Sequence, residues 1–133
     1  MKKFENYKSN LAILVSAKNE DLNNEFILSG IINKFNLQFE LGWKVLKELM
    51  KYEGLAVANT GSPREIIKAA YTMYDFIDED KWLQMLKDRN NLAHIYDGEA
   101  AKRLVRTILD IYISEFIRLE HSLDTLYGDM DCF

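Results

Sequence analysis

The chain has 133 residues, 48% of them hydrophobic, with one cysteine and two histidines. That composition can bury a core without covalent or metal help, and the lone cysteine excludes an internal disulfide and a cysteine-based zinc cluster. With 17 basic against 21 acidic residues and a formal net charge of -4, the field of the whole molecule does not draw in nucleic acid, so any RNA contact must be local.

Polar residues recur through the opening MKKFENYKSN, and no stretch approaches the roughly 20 apolar residues of a membrane span, so a cytoplasmic protein is expected. Apolar residues then return at spacings of three and four almost throughout, which reads as helices. The first helix is expected over about 3–17, burying Phe4, Tyr7, Leu11 and Leu14. After the polar break at 18–24, a long second helix runs from about Asn24 to Tyr52. Its stripe carries Leu28, Ile31, Phe35, Phe39, Leu46 and Met50, and it stops at Gly54, which tolerates a left-handed cap. Residues 55–60 lack helical periodicity. Ser62-Pro63-Arg64-Glu65 then has the form of a capping box with proline in the first helical position, opening a third helix toward Asp75. Acidic caps around Asp78 start a fourth helix, which buries Trp82, Met85 and Leu86 and runs toward Ala93. Asp97 and Gly98 begin the last helix, with Leu104, Ile108, Ile111, Phe116, Leu119, Leu123 and Leu126 facing inward. The expected fold class is all-α, an antiparallel up-and-down bundle of about five helices in a single unit over residues 1–127, with a flexible tail at 128–133.

Familiar enzyme signatures are missing: there is no GxxxxGK[ST] phosphate loop, no HExxH and no CxxC, and two histidines cannot build a histidine-rich metal site. No metal and no cofactor is expected. The segment Lys87-Asp-Arg-Asn-Asn-Leu-Ala-His-Ile-Tyr-Asp97 places Arg89, His94 and Tyr96 in an R-x4-H-x-Y arrangement. An imidazole exchanges protons near neutral pH, and a forked guanidinium suits phosphate oxygens. On a straight α-helix, however, Arg89 and His94 would stand about 140° apart. Asn90 and His94 would share one face, and Arg89 and Tyr96 another. The helix must therefore bend, or a second chain must complete the site. From spacing alone, an ordinary surface histidine is the default reading, with Tyr96 an amphipathic side chain at a helix-to-loop boundary.

Other candidates have plainer readings. His121 is expected in solvent, and Phe35, Phe39 and Trp43 in the core. Glu40 and Lys44 should form an exposed ion pair. The basic group Lys87, Arg89, Lys102, Arg103 and Arg106, interleaved with acids, reads as a solvated face. Arg64 opposes the helix dipole at a helix start, which marks it out for a contact.

Three blocks, taken in order and spacing, carry a resemblance over about residues 4–126. They are Phe35-Asn-Leu-Gln-Phe-Glu-Leu-Gly-Trp-Lys-Val-Leu-Lys47, Ser62-Pro-Arg-Glu-Ile-Ile-Lys-Ala-Ala70 and Trp82-Leu-Gln-Met-Leu-Lys-Asp-Arg-Asn-Asn-Leu-Ala-His-Ile-Tyr96. With them the chain resembles the nucleotidyltransferase substrate-binding family of the HEPN superfamily. The resemblance implies a helical homodimer working beside a minimal nucleotidyltransferase, often as toxin and antitoxin, and no membrane or DNA partner. It further implies a metal-independent ribonuclease site at Arg89 and His94, with Asn90 as polar support. Tyr96 would be the position to which the antitoxin attaches AMP. Apart from the resemblance, Arg64 and Lys87 are expected to contact partner or substrate. The family's older description implies an alternative, a non-catalytic subunit that presents substrate to the nucleotidyltransferase.

Overall fold

A computed structural model describes residues 1–95, 97–129 and 133, and among them every regular element is helical. Helix α1 spans Lys2–Ser16 and α2 spans Glu25–Tyr52, the latter capped by Asn24, whose side chain accepts from the backbone N–H groups of Phe26 and Ile27. Lys3 reaches Glu48, whereas Asn10 reaches Lys34 and Gln38, so the two helices run antiparallel. Gly54, with φ of 79°, takes the left-handed conformation expected just beyond α2. A four-residue helix, α3, Val57–Thr60, occupies the segment whose sequence showed no periodicity.

The capping box forms as expected: Ser62 accepts from the Glu65 N–H, and the Glu65 carboxylate accepts from the Ser62 N–H. It opens α4, Pro63–Met73, which ends two residues before the expected limit. Asp78 caps α5, Glu79–Asn90, and Asp97 caps α6, Gly98–Thr107. A π-helical turn, Ile108–Tyr112, leads directly into α7, Ile113–Tyr127. The bundle thus consists of five long elements and the short α3.

The core gathers on α2, which packs against α1, α4, α5 and α6, while α7 closes onto α1. Phe35, Phe39, Trp82, Tyr112 and Phe116 form one contiguous ring cluster. A polar seam crosses this core with its donors matched. The Asn10 amide donates to the Gln38 side chain, Gln38 donates to the Tyr7 carbonyl, and the fully buried Tyr7 hydroxyl donates to the Phe116 carbonyl.

Two positions of the last helix depart from expectation, since Ile111 and Leu126 are exposed rather than inward. The buried stripe instead runs through Leu104, Ile108, Tyr112, Phe116, Leu119, Leu123 and Tyr127. Each four-residue step on an α-helix rotates the stripe by about 40°. The π turn absorbs that drift across three successive steps and keeps both halves facing the bundle. At the far end, the ring of Phe133 lies against Phe4 and Tyr127.

Candidate functional site

Helix α5 stops at Asn90, inside the motif, rather than at Ala93. Its last carbonyls are collected by the Asn91 N–H, and a separate 3-10 turn, Leu92–His94, follows. Arg89 therefore belongs to the final turn of α5, while His94 sits on another element, exposed, with its backbone N–H donating to the Asn91 carbonyl. The straight-helix separation of the two residues does not apply. Tyr96 lies outside the described residues.

Arg89 leans across to α2. Its Nη1 donates to Glu40 Oε2 at 2.7 Å, and its guanidinium carbon stands 5.4 Å from the centre of the Phe39 ring. Glu40 Oε2 also accepts from Trp43 Nε1 at 3.1 Å, and Oε1 pairs with Lys44 at 3.3 Å. Glu40 is thus not only half of an exposed i,i+4 pair. It joins two turns of α2 to the end of α5. Burial pushes its carboxyl pKa up, but hydrogen bonds from Trp43 and Lys44 and the charges of Arg89 and Lys44 outweigh that and hold it below the usual value.

The Arg89 side chain is 25% exposed, and its Nε–H is buried with no acceptor among the described residues. Leaving such a donor unpaired costs about 1–3 kcal/mol. The carboxylate of the neighbouring Asp88 accepts hydrogen bonds from the Tyr112 hydroxyl in the π turn and from Gln84. Burial, then the adjacent carboxylate, raises the Tyr112 pKa far above the ordinary tyrosine range.

Arg89 also borders an open groove of about 740 Å³ between the start of α4 and the end of α5, which Arg64, Lys87 and Asn90 line with it. Four of the residues singled out in the sequence therefore meet on one surface, three of them cationic. His94 is not part of that lining. His121 is exposed and Phe35, Phe39 and Trp43 are core, as expected. Among the described residues no cluster of three His, Cys, Asp or Glu side chains could hold a metal ion, and no helix is long and apolar enough to cross a membrane.

Glu40 is the site residue that sequence reasoning missed. It lies 49 positions from Arg89, and its i,i+4 lysine supplied a sufficient local explanation. The available signal was its setting, an acid between the core rings Phe39 and Trp43.

Residues 2–125 match the family model described as nucleotidyltransferase substrate binding protein like. The chain is also similar to a Haemophilus influenzae protein described as "Probable ribonuclease HepT", with 27% identity over 96 residues. That alignment covers 71% of this chain and 66% of the length of the other protein.

Proposed function

Because the chain belongs to the nucleotidyltransferase substrate binding protein like family, we propose that it is the HEPN-type component of a two-gene module, a metal-independent endoribonuclease toxin silenced by a minimal nucleotidyltransferase partner. The observation that carries this reading is the break of α5 at Asn90. It leaves Arg89 anchored on the bundle while His94 lies exposed on a separate turn, so the angular separation set by a continuous helix does not hold. The relative described as a probable ribonuclease supports the same chemistry.

In the proposed reaction the RNA's own 2′-hydroxyl attacks the adjacent phosphorus. A bond from O2′ to phosphorus forms and the bond to O5′ breaks, giving a 2′,3′-cyclic phosphate and a free 5′-hydroxyl. His94 moves a proton at one of these oxygens, and in a homodimer the second copy's His94 serves the other. Arg89 stabilises the negative charge that gathers on phosphorus-bound oxygen, aided by Lys87 and Arg64 along the groove. Asn90, exposed at the helix end, supplies polar support. The partner would silence the site by transferring AMP to Tyr96: the phenolic oxygen attacks the α-phosphorus of ATP and pyrophosphate leaves. The added phosphodiester would bring bulk and negative charge to the R-x4-H-x-Y segment and so oppose the binding of an RNA phosphate.

A second reading, a non-catalytic subunit that presents substrate to the nucleotidyltransferase, is favoured by one observation. Glu40 already engages the motif's arginine, which lowers the positive charge offered to a phosphate.

In-cell expression of wild type and His94→Ala, each with and without the partner, separates the two. The ribonuclease reading expects growth arrest and RNA degradation from wild type alone and from no other combination, since a placed proton-transfer group contributes about 10²- to 10⁴-fold. A soluble wild type that leaves growth and RNA untouched hands the case to the accessory subunit. Incubation with partner and ATP should add AMP mass to Tyr96 and none to Tyr96→Phe.

A further inference from the structure

On the face of α2 beyond Glu40, Lys44, Lys47 and Lys51 recur at spacings of three and four, and Lys3 of α1 joins them around a groove of about 370 Å³. Trp43 also lines it, with the Lys44 and Lys47 ammonium groups 6.0 and 5.8 Å from its ring. Glu48 is the acid in the lining, and it is occupied by Lys3 at 2.7 Å. Among the described residues neither Lys47 nor Lys51 enters an ion pair. In a chain of net charge -4, this concentration of lysine is a local reversal of sign.

We propose that this groove takes the sugar–phosphate backbone of single-stranded RNA and leads the strand toward Arg89, an inference that rests on the ribonuclease reading. Flexible ammonium groups on a helix face suit a backbone whose phosphates are not rigidly placed, and a positive groove that follows the strand needs no base-specific contact. Continuity with the site comes through Lys44, which lines the groove and pairs with Glu40, the carboxylate that also holds Arg89. From Glu40 to Lys51 the helix advances about 16 Å. Trp43, nearly buried, contributes by keeping the Lys44 and Lys47 ammonium groups near the groove through cation–π attraction rather than by stacking on a base.

The test is fluorescence anisotropy with a labelled 12-nucleotide single-stranded RNA on the full chain carrying His94→Ala, so that the probe stays intact. Adding Lys47→Gln and Lys51→Gln should weaken binding about tenfold near 0.1 M salt. It should also flatten the slope of log affinity against log salt by about 1.4, because each phosphate contact on a single strand contributes about 0.7. Lys18→Gln, outside the groove, should change neither value. Unchanged affinity and slope in the double variant overturn the proposal, and so does binding of ATP without binding of RNA. Cleavage by wild type combined with lysine-independent RNA binding would reject the groove and leave the ribonuclease reading intact. Lysine-dependent RNA binding without any cleavage would keep the groove as a binding surface and reject the catalytic reading.

Discussion

Replacing Glu40 by alanine takes the acceptor from Arg89, from the Trp43 indole and from Lys44 together. Because the carboxylate is only half-buried, the change in folding stability should be below about 1 kcal/mol. Arg89, by contrast, loses the contact that aims it, and misplacement by about 1 Å can cost on the order of 100-fold in a positioned site. Under the proposed ribonuclease reading, RNA cleavage by Glu40→Ala should therefore fall about 10- to 100-fold while the urea midpoint barely moves. Glu40→Gln, which keeps an oxygen for Trp43 and Arg89, should recover part of the rate. An increase in cleavage in both variants would mean that Glu40 restrains Arg89 instead of positioning it. At this scale the sequence offered Arg89 and His94 as candidates, by residue type and spacing. It could not reveal Glu40, because the contact is long-range and nothing local demanded it.

At the scale of elements, α2 and α5 approach closely enough that glycine is required where they touch. A Cβ on Gly42 would stand 3.0 Å from Trp82 Cη2 and 3.3 Å from Tyr7 Cε2. Trp82 is fully buried, edge-on to Phe116 and tilted against Phe39, so it has no room to yield. Gly42→Ala should destabilise the protein by about 1–2 kcal/mol in urea unfolding, the overpacking exceeding the helix propensity gained. Gly30→Ala, on the same helix with open space around its Cβ, should instead stabilise by up to about 1 kcal/mol. The starts of the helices were legible in the sequence because Asn24, Ser62, Asp78 and Asp97 announce them with side chains that accept from free backbone N–H groups. Ends were less legible. No glycine or proline marks the stop of α5 at Asn90, and a break there is decided by how Asn91 and the following turn collect the terminal carbonyls. The π turn left no trace either, since an apolar pattern read at an average of 3.6 residues conceals one extra residue.

For the molecule as a whole, tyrosine hydroxyls tie the bundle together at several levels. Tyr7 bonds to α7, Tyr112 to α5, and Tyr127 donates to Glu53 while sharing a hydrogen bond with Tyr74. Burial is the main cause that raises all four pKa values, with nearby carboxylates adding to it. A raised folded pKa means that the stability these neutral groups provide is fully present below the ordinary tyrosine value of about 10 and is lost as pH climbs above it. The urea midpoint should accordingly hold steady up to about pH 10 and then fall, with tyrosinate absorbance appearing together with loss of helix. Ionisation of all the tyrosines ahead of any loss of helix would contradict this. The widened turn at Ile108–Tyr112 also bears on how such a chain can change length during evolution. Losing one residue there, at the exposed Asp110 or Ile111, would tighten the turn to an ordinary α-helix and leave α6 and α7 on their own faces. The same deletion in the middle of α2 would rotate everything beyond it by about 100° and turn the core-facing side to water, so insertions and deletions that lineages survive should collect at the π turn.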